Sequence, residues 1–341
     1  MKQRVPKFLC LGLIMRDILI SGVPELPTHW EQTLVGKAVR SDTGGGAANS
    51  ARTLGRLGAQ VSLSGRIGKD SFAAQVKRDL EADAVDLSFL KEDADNPSGV
   101  AVALIRQDGK RCFTTVRGAN QAYCEEDLAS ICWEAFPFVL VNGFFQFPAL
   151  EPELPRLMEQ MKAAGCCIAF DTASWDPSGR WFERIRPFAR FLDYLFANGA
   201  QLYQLTKKEN LQEASSFLQG EGVGAVVAKL GAQGSVTFCR DGGQISVPAF
   251  PVKAADTSGA GDSFDAAYLF GKANGWLERE CAQFANTVAG LNCTRIGATA
   301  GVPGLDTALR LCRNCYGTFT ENHKSERKEI SHAAGNIYPA L

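Results

Sequence analysis

Two carboxylates and two glycines stand close together in residues 256–262, whose sequence is Asp-Thr-Ser-Gly-Ala-Gly-Asp. The apolar run 245–252 before them predicts a strand, and Phe264, Ala267 and Tyr268 after them recur at helical spacing. The segment is therefore a predicted turn between a strand and a helix. The first turn of a helix has free backbone N–H groups at the positive end of the helix dipole, and glycines let an anion approach them closely. The pattern predicts a phosphate site.

Asp262 would lie beside the bound anion, where a negative charge is unfavourable unless the carboxylate has a chemical role. Transfer of a phosphoryl group to a hydroxyl provides one, because a neighbouring carboxylate can accept the hydroxyl proton. The alternative is a glycine-rich turn in which Asp262 only complements the helix dipole. We favour the first interpretation, because both carboxylates and both glycines are placed for a phosphate.

Composition and charge restrict the class of protein. The chain has 341 residues, 45% of them hydrophobic and 21% charged, which is enough for one large α/β domain or two ordinary ones. A formal net charge of −1 gives no basic surface that would indicate a nucleic-acid or membrane partner. The eleven cysteines are odd in number and two are adjacent, which argues against a disulfide framework and predicts a cytoplasmic protein.

Short apolar runs alternate with helical patterns along most of the chain. Predicted strands lie at residues 8–15, 138–141, 166–170, 194–197 and 223–228. Such alternation predicts an α/β fold with a mostly parallel central sheet and helices on both faces. Polar residues follow several of these strands, at the sheet edge where ligands bind in α/β folds; they are Asp17, Asp171, Asn198 and Lys229.

Two further segments complete the predicted organisation. Runs 99–106 and 111–117 flank the turn 107–110 and predict a β-hairpin, which is foreign to a parallel sheet and suggests a small separate sheet. Residues 44–49, Gly-Gly-Gly-Ala-Ala-Asn, begin a predicted helix. They lack the third glycine of the dinucleotide-binding fingerprint, so this segment does not predict a nicotinamide site.

Residues 256–262 and 44–49 resemble the two signatures of the ribokinase-like (PfkB-type) carbohydrate kinase family, and the similarity covers about residues 8–311. This resemblance implies a kinase domain over residues 1–317, with a lid from about 17–42 and 97–120 that often pairs with another subunit. It also implies transfer of the ATP γ-phosphoryl group to a hydroxyl of a sugar-like molecule, with Mg²⁺ bridging the phosphates. Residues 318–341 are predicted to form a polar tail.

The resemblance also implies roles for individual residues. Asp262 would be the catalytic base, and the anion hole would consist of Gly259, Ala260 and Gly261. The implied substrate-binding residues are Asp17, Gly45, Gly46, Asn49, Asn142, Phe144, Arg117 and Asp262, with Asn120 near the lid. The implied nucleotide-binding residues are Asn198, Lys229, Gly231, Gly234, Thr257, Gly259, Gly261, Asn286, Gly297 and Ala298. A monovalent cation such as K⁺ is expected beside Asp256.

Gln201 departs from the family pattern. The family usually carries N-x-x-E here, with the Glu acting through water on Mg²⁺ and phosphate, whereas residues 198–201 read Asn-Gly-Ala-Gln. A neutral amide can orient water but lacks the charge that helps to hold a hard cation. The departure motivates one alternative, a nucleotide- and sugar-binding protein with little catalysis. A nicotinamide-dependent oxidoreductase is a third interpretation, which fits the strand–helix repetition only.

The acceptor is open at this point. Ketohexoses, pentoses, keto-deoxy sugar acids and nucleosides are all options within the family, and ribokinase itself usually has Lys at the position of Gly46. The edges of a lid sheet would also allow pairing into a homodimer.

Overall fold

The computed structural model describes residues 6–29, 31–108, 111–172 and 179–317, which form two sheets and the helices around them. The strands are β1 (Lys7–Gly12), β2 (Met15–Val23), β3 (Ala38–Gly44), β4 (Gln60–Gly68), β5 (Val85–Asp93), β6 (Val100–Arg106), β7 (Arg111–Val116), β8 (Phe138–Asn142), β9 (Cys167–Asp171), β10 (Tyr194–Asn198), β11 (Ala225–Lys229), β12 (Ser235–Phe238) and β13 (Gln244–Val247). The α-helices are α1 (Gly46–Arg56), α2 (Ser71–Ala82), α3 (Leu154–Ala163), α4 (Trp181–Ile185), α5 (Gly199–Thr206), α6 (Leu211–Gly220), α7 (Ala260–Ala273), α8 (Glu278–Asn292) and α9 (Leu305–Tyr316).

The larger sheet confirms the predicted fold class. Its strand order is β13-β12-β11-β10-β9-β8-β1-β4-β5, and all neighbours are parallel except for β12 and β13 at one edge. The interior strand β1 shows why the sheet carries helices on both faces. Leu9 and Leu11 belong to one hydrophobic cluster and Cys10 to the other, because successive side chains of a strand point to opposite faces. Both faces are therefore cores.

The smaller sheet has the order β3-β2-β6-β7 and contains the predicted hairpin, β6 and β7. Gly109 and Lys110 of the predicted turn lie outside the described residues. One face of this sheet carries Asp17 and Asp42, which are paired across β2 and β3. Arg16 connects the sheet to α2, because its Nη1 lies 2.8 Å from Oδ2 of Asp79.

The predicted first strand, residues 8–15, is two strands in the structure. β1 ends at Gly12, whose φ of +132° favours glycine and whose Cβ, if present, would lie 2.1 Å from the Asn142 carbonyl oxygen. The chain then turns and enters the small sheet at Met15. Asp17 therefore lies on a strand of the small sheet and not at the end of a strand of the large one. The prediction placed Asp17 at the wrong kind of position because an uninterrupted apolar run hides such a turn.

The predicted strand at 245–252 is also shorter in the structure. It ends at Val247 and is antiparallel to its neighbour at the sheet edge. Pro248 and Pro251 follow, and proline cannot donate to a strand ladder. The turn at 256–262 is consequently reached through an irregular segment.

Other predictions from composition meet the structure in different ways. All eleven cysteines are free thiols, as the sequence predicted. Within the described residues, no helix combines the length and apolarity needed to cross a membrane. Residues 318–341, the predicted polar tail, lie outside the described part of the chain.

Candidate active site

The head of α7 has the conformation that the glycine pattern predicted. Gly259 caps the helix with φ +66°, and a Cβ there would lie 2.0 Å from the carbonyl oxygen of Ala298. Only glycine fits this turn without a clash. The N–H of Ala260 lies 3.3 Å from the carbonyl oxygen of Thr257, so this amide is partly engaged in the turn itself. Gly259, Ala260 and Gly261 all line a cleft of about 820 Å³.

Asp262 faces the same cleft and is held by two side-chain amides. Asn49 Nδ2, from α1, donates to its Oδ2 at 2.8 Å, and Asn142 Nδ2, from the end of β8, donates to its Oδ1 at 3.2 Å. Among the described residues, no cation forms an ion pair with Asp262. Burial and the nearby charge of Asp171 raise the pKa of Asp262, and the hydrogen bonds and Lys229 oppose that rise. The carboxylate is thus oriented without being neutralised.

The same two amides leave two acceptor atoms without a partner. Asn49 is 4% exposed and Asn142 is 0% exposed, and in the described residues nothing donates to Oδ1 of either one. A buried acceptor without a donor is costly, so these oxygens fit a ligand that brings hydroxyl groups. Gly46 is required here, because a Cβ would lie 1.7 Å from Oδ1 of Asn142.

Asp17 adds an acceptor from the small sheet. Its carboxylate packs so closely against Gly44 that a Cβ there would lie 2.1 Å from Oδ2. Burial raises the pKa of Asp17 to about 7, with further contributions from the charges of Asp42 and Asp262. Gly45 has φ +89° and lines the cleft beside this point. Negative charges from the small sheet and from α7 are therefore near enough to affect each other.

The other end of the cleft is polar on one wall and apolar on the other. The predicted nucleotide residues that line it are Asn198, Lys229, Gly231, Gly234, Thr257, Gly259, Gly261 and Asn286. Asn286 donates from Nδ2 to Oγ of Ser235 at 3.0 Å, so that amide nitrogen is engaged within the protein. The apolar wall consists of Ala249, Phe250, Pro251, Val252, Ala254, Ala289 and Gly290. An apolar wall opposite polar groups suits a planar ring.

Gln201 and its neighbour Asn198 cap α5 reciprocally. The Gln201 N–H donates to Asn198 Oδ1 at 2.9 Å, and the Asn198 N–H donates to Gln201 Oε1 at 2.7 Å. This capping box satisfies two N–H groups at the helix start. The side-chain oxygen that could have faced a cation is therefore engaged by the backbone.

Lys229, at the end of β11, lies in a buried ionic cluster. Its ammonium pairs with Asp171 and lies 2.9 Å from both carboxylate oxygens of Asp265. Burial alone would lower the pKa of Lys229, but the two carboxylates outweigh it and raise the pKa above its ordinary value. Lys229 stays charged at the floor of the cleft.

Seven predicted site residues do not line the cleft: Phe144, Arg117, Asn120, Asp17, Asp256, Gly297 and Ala298. Phe144 is fully buried and packs against Phe170 and Phe188, so the structure places it in the core. Arg117 Nε donates to Oε1 of Gln146 at 3.0 Å.

Of the others, Asp17 lies on the small sheet, where the charge of Asp262 is one of those that raise its pKa. Asp256 accepts from the N–H of Ser258 at 2.9 Å and from that of Gly297 at 3.0 Å, so it organises the turn. Ala298 accepts from Asn292 Nδ2 at 2.8 Å and supports Gly259. Asn120, which follows β7 of the small sheet, donates from Nδ2 to the carbonyl oxygen of Ile14 at 2.8 Å.

Sequence reasoning missed Asp265 and the apolar wall. Asp265 lies three residues after Asp262 on α7 and is fully buried, but its sequence context resembles that of any polar helix residue. Four of the seven residues of the apolar wall, numbers 249–252, lie in the run that was predicted to be a strand, so no ligand contact was expected of them.

Comparison with known proteins agrees with this geometry. A family model described as pfkB family carbohydrate kinase matches residues 6–305. Aminoimidazole riboside kinase of Salmonella typhimurium is 29% identical over 272 residues, which cover 76% of this chain and 84% of the relative. Ribokinase of Arabidopsis thaliana is 26% identical over 322 residues, which cover 90% of this chain and 81% of the relative.

A solved structure of the Arabidopsis ribokinase, described as complexed with ribose and ATP, superposes with a TM-score of 0.79 at 25% identity. The match covers 91% of this chain and 99% of that one. The family match spans most of the chain and the superposition covers both sheets. The chain therefore belongs to the pfkB family of carbohydrate kinases.

Proposed function

We propose that this protein transfers the γ-phosphoryl group of ATP to a hydroxyl of a sugar or sugar-like molecule. The observation that carries the proposal is the position of Asp262, whose carboxylate faces the cleft directly beside the amides at the head of α7. Relatives support the cosubstrates, because the Arabidopsis ribokinase structure is described as a complex with ribose and ATP. No other carboxylate that lines the cleft in the described residues is free of an ion pair.

The chain's own residues supply binding, orientation and a proton acceptor. In the proposed reaction, Asp262 takes the proton of the acceptor hydroxyl while that oxygen attacks the γ-phosphorus. The amides of Gly259, Ala260 and Gly261, together with the helix dipole, stabilise the charge that develops on the phosphoryl oxygens. Mg²⁺, when bound with ATP, would neutralise part of the phosphate charge. The side-chain amides of Asn198 and Gln201 line the cleft. Neutral amides such as these suit a cation that is held through water rather than by direct contact.

The sugar would bind where acceptors converge. Oδ1 of Asn49 and of Asn142 lack donors in the described residues, and Asp17 on the small sheet would add a third acceptor. Sugar hydroxyls can donate to all three groups. The small sheet would act as the lid that excludes water, which otherwise competes as acceptor.

The alternative is a binding protein of the same fold with little catalysis. Gln201 favours it, because the residue is neutral and caps its own helix. Sugar-dependent release of ADP over a panel of sugars and nucleosides distinguishes the two functions. The oxidoreductase interpretation has no support now that the family is known.

Several finer predictions stay open. A K⁺ site beside Asp256, a domain boundary at residue 317 and a cytoplasmic location remain predictions. So does the choice among ketohexoses, pentoses, sugar acids and nucleosides.

A homodimer through the lid is supported by the outer face of the small sheet. Ile20, Val39 and Leu104 are paired across its strands and share that face, and Val39 is 69% exposed. An apolar sheet face in water favours a partner, and a second copy supplies the same face.

Replacing the base should stop the chemistry and spare nucleotide binding. Asp262→Asn keeps the shape of the side chain but cannot accept the proton, so we expect kcat to fall by about 10²–10⁴. The Kd for ATP, measured by calorimetry, should stay within about threefold because the amides are unchanged. Asp306→Asn, at the exposed start of α9, is the control. A normal kcat in Asp262→Asn would refute the assignment.

The carboxylate of Asp17 should lower the free energy of unfolding at neutral pH while contributing to substrate binding. Its pKa of about 7 in the folded chain exceeds the value of about 4 in an unfolded chain, so the free energy of unfolding falls as pH rises between these values. We expect Asp17→Asn to raise Tm at pH 8 and to change it little at pH 4, while KM for the sugar rises. Asp306→Asn should shift Tm at neither pH. Equal Tm changes at both pH values would contradict the assigned burial of charge.

Gln201 should limit the affinity for Mg²⁺. Glu also satisfies a capping box, so Gln201→Glu should fold normally while adding a negative charge at the cleft. The Mg²⁺ concentration that gives half-maximal activity should fall severalfold or kcat should rise. Gln204→Glu, exposed on the same helix, adds the same charge elsewhere and serves as control. Unchanged Mg²⁺ dependence and kcat would show that the departure has no consequence.

The lid face can be tested by its oligomeric state. Analytical ultracentrifugation of the unaltered chain should show a dimer, and Val39→Lys should give a monomer because a charge would be buried at the interface. Leu277→Lys, 49% exposed at the start of α8, should remain dimeric. A monomer in the unaltered protein at micromolar concentration would exclude this pairing.

A further inference from the structure

A buried ionic cluster lies under the first turn of α7, and the mechanism above leaves it unused. It joins three elements: Asp171 ends β9, Lys229 ends β11, and Asp265 lies one turn after the proposed base on α7. The side chains are 5%, 14% and 0% exposed, respectively. Buried charges are expensive even when paired, so a fold that keeps three of them beside its cleft invites a functional explanation.

The ammonium group reaches the phosphate site itself. A Cβ added to Gly261 would lie 3.2 Å from Lys229 Nζ, so the charge lies next to the backbone of the proposed anion hole. Lys229 is also the one basic side chain among the described residues that line the cleft. A phosphoryl group in transfer at the head of α7 would therefore lie next to this cation and the amides together.

Two carboxylates keep the ammonium charged and fix its position. Asp265 Oδ1 and Oδ2 both lie 2.9 Å from Lys229 Nζ, and Asp171 at the end of β9 contacts the same Nζ. A buried lysine without such partners tends to lose its proton, whereas here both carboxylates raise its pKa. Since Asp265 and Asp262 are on one helix, the holder of the lysine and the proposed base form a rigid unit.

We infer that Asp265, with Asp171, is a positioning residue that holds the ionised Lys229 against the head of α7, where the ammonium stabilises the negative charge developing on the transferred phosphoryl group. The inference rests on the proposed kinase reaction. No covalent step is added: the phosphoryl group still passes from ATP to the acceptor oxygen, and the proton still goes to Asp262.

Loss of an ion pair that only stabilises the fold should leave kcat unchanged. The chain contains such a pair, which serves as a control. Lys162 and Asp193 also form a lysine–aspartate pair, with Nζ 2.7 Å from Oδ2 and side chains 35% and 21% exposed, and Asp193 lies just before β10, at the amino end of that strand. Asp193→Asn therefore removes a comparable charge far from the cleft.

The test compares Asp265→Asn with Asp193→Asn in the full-length protein. Asn keeps one acceptor oxygen but not the charge, so Lys229 should be held less well. Because small displacements of a charged group in an active site can cost about 10²-fold, we expect kcat of Asp265→Asn to fall between about tenfold and a hundredfold. KM for ATP should stay within about threefold, since the interaction strengthens only as charge develops. Asp193→Asn should keep both constants.

A second readout does not depend on turnover. The complex of MgADP, aluminium fluoride and sugar mimics the charged phosphoryl group, so Asp265→Asn should weaken its binding by the same factor as kcat, with MgADP alone unaffected. Asp265→Glu should restore part of both. An Asp265→Asn protein that folds and keeps normal kcat and normal binding of the analogue would overturn the inference.

If the single variant folds poorly, a combined variant takes its place in the test. Lys229→Met with Asp171→Asn and Asp265→Leu removes all three charges and replaces them with neutral side chains of similar volume, a change that buried ionic groups often tolerate. This variant should bind MgADP but lose about 10²–10³ in kcat, as when one group is removed from an oxyanion site. Normal kcat would again refute the role of Lys229. If the unaltered protein releases no ADP with any sugar of the panel, the proposed function fails instead.

Discussion

The site depends on two hydrogen bonds that cross between elements of the fold. Asn49 on α1 and Asn142 at the end of β8 each donate to one oxygen of Asp262 at the head of α7. The start of α7, the end of β8 and α1 are thereby held in a fixed arrangement. The glycines around them follow from the same contact, because Gly46 has no side chain that could displace the Asn142 oxygen. Packing of α1 against α7 thus places the carboxylate as much as it stabilises the fold.

Much of this could be predicted from the sequence, because local patterns encode local geometry. The glycines of residues 256–262 predicted the helix head, and the alternation of apolar runs predicted the parallel sheet. The turn at Gly12 was missed since it depends on the carbonyl of Asn142, a residue far away in the chain. Phe144 was assigned to the substrate by its position after a strand, yet it points into an aromatic cluster. Asp265 gave no signal, because its partners come from two other strands.

The small sheet brings negative charge towards a site that is already acidic. Asp17 and Asp42 are paired neighbours on it, and Asp42 is partly balanced by Arg52 of α1, whose Nη1 lies 3.2 Å from Oδ1. Asp17 forms no ion pair in the described residues, and burial, followed by the charges of Asp42 and Asp262, raises its pKa to about 7. An unpaired carboxylate that reduces stability is typical of a binding site, where the missing donor arrives with the ligand.

The division between amides and charges around α7 has a physical reason. A cation paired directly with Asp262 would lower its pKa and weaken it as a base, whereas amide donors orient the carboxylate and leave much of its basicity. A phosphate site nevertheless needs positive charge nearby. The fold meets both requirements by tying Lys229 to Asp171 and Asp265, so that the ammonium lies beside Gly261 and pairs with other carboxylates. The same pairing explains why a lysine at the floor of a buried cleft keeps its proton. In the proposed reaction, Asp262 and Lys229 would therefore act on the same phosphoryl group without neutralising each other.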